Sequence, residues 1–159
     1  MRRRAPTSVG GVDAIRHSTR GAVALVLTAV LAACGGGPPA DLFLVTRSGD
    51  IPGARLVVRV TDDGQASCNG RALVAITSKD LIDGRQIRRD LEGEDEGDIG
   101  PADKGLSLPP GPMAVFRYVV RGQDGTVSFS DTSAGQPQAF RDIAALTRRI
   151  AKGACRLPR

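Results

Sequence analysis

Proton transfer near neutral pH most often falls to histidine, and this chain has a single one, His17. It precedes an apolar run that reads as part of a removable export segment, so the remaining chain carries no histidine. A Ser-His-Asp or Cys-His nucleophile, a His-ligated metal centre and a His general base are thereby excluded. There is no Gly-x-Ser-x-Gly elbow, no Gly-x-x-x-x-Gly-Lys phosphate loop, and no Gly-x-Gly-x-x-Gly turn after a strand. A carboxylate pair of the glycosidase type remains formally open. Such enzymes, however, stack sugars on aromatic rings, and the chain has four Phe, one Tyr and no Trp. The acidic run Glu92 to Asp98 (EGEDEGD) raises the question of a calcium loop, because hard cations take clustered carboxylates. Its spacing is not that of an EF-hand, and it reads as a solvated loop. The expectation is a non-catalytic protein without cofactor or metal.

Three cysteines remain as chemistry-bearing residues: Cys34, Cys68 and Cys155. The N-terminus opens Met1-Arg2-Arg3-Arg4, carries Arg16 and Arg20, and turns apolar from Gly21 to Ala33 (GAVALVLTAVLAA). As a helix those 13 residues would span roughly 20 Å, against a bilayer core of about 30 Å. A basic start, a short apolar stretch and small residues before a cut site make an export signal over residues 1–33. The arginine run lacks the residues that complete a twin-arginine signal. Leu31-Ala32-Ala33-Cys34 resembles the lipobox of bacterial lipoproteins. That resemblance implies cleavage before Cys34, a diacylglyceryl group on its thiol and acylation of the new amino terminus. Two or more acyl chains anchor stably where one does not, at about 0.8 kcal/mol per buried CH₂. The competing reading is an ordinary signal with a chance cysteine near its cut site. Gly35-Gly36-Gly37-Pro38-Pro39 then reads as a tether, so that residues 34–40 join the anchor to the domain.

Lipid on Cys34 leaves Cys68 and Cys155, and an exported protein lives in an oxidising compartment. A Cys68–Cys155 disulfide is expected. Redox-pair and metal-ligand readings fit poorly, since the two lie 87 positions apart with no neighbouring histidine or third cysteine.

Removal of residues 1–33 leaves 126 of 159 residues, enough for one domain over 41–159. The net charge of +5 is misleading, because the export segment holds five arginines and one aspartate and takes +4 with it. No Lys/Arg run with interleaved aromatics remains, and nucleic acid is not an expected partner.

Asp41 to Thr46 and Arg55 to Thr61 read as strands, and Asp62-Asp63-Gly64-Gln65 as a hairpin turn with a return strand ending near Cys68. Ser78 to Leu91 reads as a helix behind a Thr77-x-x-Asp80 capping box. Ile87 and Leu91 lie on its apolar face, Leu81 and Ile82 flank it, and Gly84 costs it about 1 kcal/mol relative to Ala. Met113 to Arg121 alternates as a strand with Ala114, Phe116, Tyr118 and Val120 on one face. Gln123-Asp124-Gly125-Thr126 turns it back into Thr126 to Ser130. Pro137 to Lys152 is an amphipathic helix with Phe140, Ile143, Ala144, Thr147, Ile150 and Ala151 on its dry face, ended by Gly153. The fold class is α+β: an antiparallel sheet of two hairpins plus an N-terminal strand, one face covered by two helices in a ββα-ββα-like order. The two hairpins align on their Asp-Gly turns, a likeness shared by internal duplication and by common turn chemistry.

The stretch Thr46-Arg47-Ser48-Gly49-Asp50-Ile51-Pro52-Gly53 is similar to the opening of emfourin-type proteins, small inhibitors of thermolysin-like metalloproteases. Phe116-Arg117-Tyr118, then Thr126 to Asp131, then a terminal helix follow the same order. The likeness spans about Phe43 to Ile150. Asp50 stands where that family has the second glycine of a pair, and the lipobox and two cysteines are additions. The resemblance implies the fold and, more remotely, protease inhibition. Independently, Leu106-Ser107-Leu108-Pro109-Pro110-Gly111-Pro112 is a proline-stiffened loop. A rigid loop loses little entropy on docking, so Leu106, Leu108, Pro109 and Pro110 form a candidate binding loop. The other reading makes the leucines caps over the sheet edge and the prolines mere turn residues. The expected protein is an extracytoplasmic lipoprotein of the cell envelope, held on the membrane by acyl chains on Cys34. It would act as a binding or adaptor module on an envelope or secreted protein, or alternatively as a surface-tethered protease inhibitor.

Overall fold

Alternating side chains require one dry face and one wet face, and the strands supply them in register. The computed structural model describes residues 40–93 and 97–157. The export segment, Cys34 with its tether as far as residue 39, and residues 94–96 of the acidic run lie outside the described residues. Strand β1 (Asp41–Ser48) is followed by β2 (Leu56–Thr61), β3 (Gln65–Cys68), β4 (Val74–Ala75), helix α1 (Ser78–Glu92), β5 (Arg117–Arg121), β6 (Thr126–Ser130) and α2 (Gln138–Lys152). All pairings are antiparallel, and the six strands lie in the order β4-β3-β2-β1-β5-β6. The N-terminal strand is therefore the centre of the sheet, flanked by one hairpin on each side. The fold is α+β, as the sequence pattern implies.

Val45 lies opposite Val58 on one side and Val120 on the other, and all three are buried. Tyr118, Val127 and Phe129 extend the dry face across the second hairpin. Tyr118 stacks on Phe129 at 5.0 Å between centroids, and Phe129 on Phe140 of α2 at 4.5 Å. This aromatic column fastens the second hairpin to the last helix. A register shift between Asp41 and Phe43 bends the start of β1, so that the adjacent Leu42 and Phe43 are both buried.

One sequence expectation about strands is corrected, and one strand is added. The alternation from Met113 does not make strand before Arg117: Met113 sits at φ 56° with 93% of its surface exposed. The preceding prolines cannot donate to a ladder, and the Val115 N–H bonds the Asp131 carboxylate, so this stretch folds over the end of β6. Conversely, Val74–Ala75 adds a short edge strand to β3 that the sequence does not announce.

Thr77 caps α1 as its position implies, its hydroxyl accepting from the Asp80 N–H at 3.1 Å. Ile87 and Leu91 are buried, but Ile82 is 64% exposed and does not share the apolar face assigned to it. Gly84 marks the closest approach of α1 to its neighbours. A Cβ there would meet Leu42 Cδ1 at 3.3 Å and Leu146 Cδ2 and Val60 Cγ1 at 3.8 Å. The glycine that weakens the helix locally is what allows it to settle on β1 and α2. All six residues assigned to the dry face of α2 are buried, together with Ala139 and Leu146. Arg149 Nε bonds Asp80 at 2.9 Å, and Arg149 Nη2 bonds Asp83, joining α2 to α1. Beyond Gly153 the chain turns, and Cys155 is bonded to Cys68 with Cα atoms 6.1 Å apart. The expected disulfide is present, tying the end of the first hairpin to the end of the last helix.

Candidate functional site

The proline loop is fastened along the outer edge of β6. Leu108 N–H donates to Ser128 O at 2.8 Å, Ser128 N–H donates to Leu106 O at 3.0 Å, and the Ser107 and Ser128 hydroxyls are 2.6 Å apart. The Pro109 carbonyl accepts from the Ser133 hydroxyl at 2.7 Å. Leu106 and Leu108 are half-buried and packed against the core, while Pro109 and Pro110 are exposed. The leucines thus cap the sheet edge, and the backbone covers an edge strand that would otherwise present unpaired donors. The two prolines border a shallow cleft of about 320 Å³ whose floor includes Val119 and Ser128 on the open sheet face. Of the residues singled out from sequence, Cys68 and Cys155 are brought together. The proline loop lies on the β6 edge, and Cys34 falls outside the described residues.

The turn after β1 is built around Arg47. Its Nε donates to the Ala54 carbonyl at 2.9 Å and its Nη2 to the Gly53 carbonyl at 3.0 Å, and its guanidinium lies 4.6 Å from the centre of the Phe116 ring. Gly49 has no room for a side chain, because a Cβ would stand 2.2 Å from the Val115 carbonyl oxygen. Gly53 takes φ 75°, the left-handed region that favours glycine. The arginine and glycines of the stretch Thr46 to Gly53 therefore each have a structural task.

This turn forms one wall of a second cleft, of about 230 Å³, which no local sequence pattern announces. The opposite wall is the last turn of α2. Among the described residues four cations surround it, Arg47, Arg55, Arg148 and Lys152, and no acidic residue lines it. Arg55, Arg148 and Lys152 are exposed and make no ion pair among the described residues. Ile51, Pro52, Phe116 and Leu157 supply apolar surface between the charges. Beside the cleft, though not part of its lining, is the Tyr118 ring, 1% exposed and opposite Arg47 in the β1–β5 register. Its hydroxyl is buried, and among the described residues no group meets hydrogen-bond geometry at its oxygen. Burial raises the phenol pKa, and the charges of Arg47 and Arg148 oppose that rise without cancelling it. Arg148 is near enough to act on the hydroxyl without being its geometric partner. A buried hydroxyl without a partner carries a desolvation cost of about 1–3 kcal/mol; Arg88 Nε and Glu92 Oε1 near the end of α1 are likewise buried without a partner among the described residues.

Among the described residues, no group of three or more His, Cys, Asp or Glu side chains is placed to hold a metal ion. None of the described helices is long and apolar enough to cross a membrane. Comparison with protein-family profiles, with curated proteins and with solved structures finds no match to this chain.

Proposed function

We propose that this chain is a lipid-anchored, extracytoplasmic binding module without catalytic activity, an adaptor for a protein partner in the envelope or secreted from it. The observation that carries the reading is the Cys68–Cys155 bridge, because structural disulfides belong to oxidising compartments. It agrees with an N-terminal segment that ends in Leu31-Ala32-Ala33-Cys34, and the tether that follows would hold the domain off the membrane. Lack of histidine after position 17 removes the commonest general base and nucleophile activator from the mature chain. Intact-mass measurement of the native product tests the reading. A chain beginning at Cys34 and carrying acyl groups supports it, and an uncut or unmodified N-terminus overturns it.

A second reading, the tethered protease inhibitor, draws on the exposed Pro109-Pro110 pair and its fastening to β6 and Ser133. The leucines are half-buried against the core, so the exposed prolines would have to make most of the contact with a protease. Incubation with a thermolysin-like metalloprotease at micromolar excess decides it: undiminished proteolysis eliminates inhibition.

A further inference from the structure

We propose that the basic cleft between the Arg47 turn and the end of α2 binds the carboxy-terminal carboxylate of a polypeptide whose last residue is apolar. The proposal deepens the binding-module reading and rests on it, but it does not rest on the lipid anchor.

Three features of the cleft select this ligand class. Four cations and no acidic residue in the described lining favour an anion, and Arg148, which makes no ion pair among the described residues, offers a planar fork that matches two carboxylate oxygens. Arg47 is less available, since two of its nitrogens already hold the Gly53 and Ala54 carbonyls. Apolar surface from Ile51, Phe116 and Leu157 lies between the cations, so the anion should carry an apolar group beside its charge. The cleft's 230 Å³ falls below the range of about 300–1,000 Å³ typical of drug-sized ligands and suits one residue rather than an acyl chain. Tyr118 does not itself line the cleft, but Arg148 lies close to its buried hydroxyl, so a carboxylate that draws Arg148 to itself changes the surroundings of the phenol.

Tyr118 is the only tyrosine and there is no tryptophan, so intrinsic fluorescence reports on this hydroxyl alone. The full chain in non-ionic detergent at low salt is titrated with N-acetyl-leucine, N-acetyl-leucinamide and inorganic phosphate. N-acetyl-leucine should change the emission saturably, with half-saturation at roughly 1 mM for so small a probe. Arg148→Gln should raise that concentration about tenfold, and Lys152→Gln should raise it less. Both side chains are exposed, and unchanged far-ultraviolet dichroism confirms that the variants fold. Equal binding of the uncharged amide would overturn the proposal in favour of a merely apolar pocket. Equal binding of phosphate would overturn it in favour of unselective anion attraction. Absence of any saturable change up to about 20 mM N-acetyl-leucine would overturn it outright. An uncut N-terminus would sink the anchored reading and leave these titrations untouched.

Discussion

Replacing both bridge cysteines, Cys68→Ala with Cys155→Ala, removes the only covalent tie between the first hairpin and the last helix among the described residues. The bridged residues are 87 positions apart, so the chain-entropy relation assigns the bridge about 4.5 kcal/mol at 25 °C. Most of that comes from restricting the unfolded chain. At about 4 °C per kcal/mol for a domain of this size, the melting temperature should fall by roughly 15–20 °C. Cys68 is 1% exposed and sits on the dry face, so truncation there also leaves a small void. Reduction of the native bridge keeps that sulfur, and reduced protein should therefore melt slightly above the double variant. The damage should start locally. Cys155 N–H bonds Ile150 O at 3.0 Å and Leu157 N–H bonds Ala151 O at 2.9 Å, whereas α2 keeps its own buried face. Hydrogen exchange at Cys155 and Leu157 should accelerate before that of α2. Thermal unfolding followed at 222 nm, with and without reductant, measures the main effect. A loss under about 5 °C with cooperative unfolding intact would refute the reasoning, because the loop-closure contribution would then be largely absent.

Gly49→Ala should cost about 2 kcal/mol or more, since its Cβ would clash with the Val115 carbonyl and that backbone must move; urea midpoints at constant m check it. Arg149→Met should cost about 1 kcal/mol at pH 7 by removing the partly screened links to Asp80 and Asp83. Burial works to raise the Asp80 pKa, but Arg149 and the Thr77 hydroxyl outweigh it and the value is lowered. That stability is present above the unfolded carboxylate pKa and is lost as pH falls through the folded one. The gap in melting temperature between wild type and variant should therefore narrow below about pH 4. Tyr118 behaves oppositely: burial raises its pKa above 10.0, so the folded state favours the neutral phenol, and this contribution is lost as pH rises through the folded pKa. Tyrosinate absorbance at 295 nm should therefore lag the ordinary phenol titration and rise together with unfolding. An ordinary titration with native dichroism preserved would contradict it.

What could be read from the sequence was whatever is specified locally. The Asp62-Asp63-Gly64 turn needs positive φ, and Gly64 adopts 82°. The dry face of α2 follows from its spacing alone, because every apolar position on it meets the same aromatic and aliphatic surface. The failures occur where a distant contact overrides local pattern. Alternation continues unbroken through Met113 and Val115, yet prolines before it and Asp131 across from it turn the chain away. Gly84 reads as a defect in a helix until Leu42, thrown inward by the irregularity in β1, is seen to need its space. Ile82 fits a broad apolar stripe on paper, but α1 buries Gly84, Ile87 and Leu91 and leaves Ile82 in solvent. The basic cleft could not have been found in this way. Its cations come from two segments about a hundred positions apart, and the Tyr118 hydroxyl on which Arg47 and Arg148 act comes from a third.

Strand β1 fixes how far the proposed ligand lies from the start of the described domain. The described domain begins at Ala40, directly before β1, and the cleft begins at Arg47 at the far end of the same strand. Six residues of extended chain separate Asp41 from Arg47, about 20 Å at roughly 3.4 Å per residue. Because β1 is the central strand, held by β2 on one side and β5 on the other, that separation is fixed by two ladders. An anion held beside Asp41 would therefore not reach Arg47, and the proposed ligand has to be brought to the cleft itself. The sheet is thus a spacer as well as a scaffold, and a protein terminus is the proposed ligand at its far end: anionic vesicles that changed Tyr118 emission as strongly as N-acetyl-leucine would contradict it.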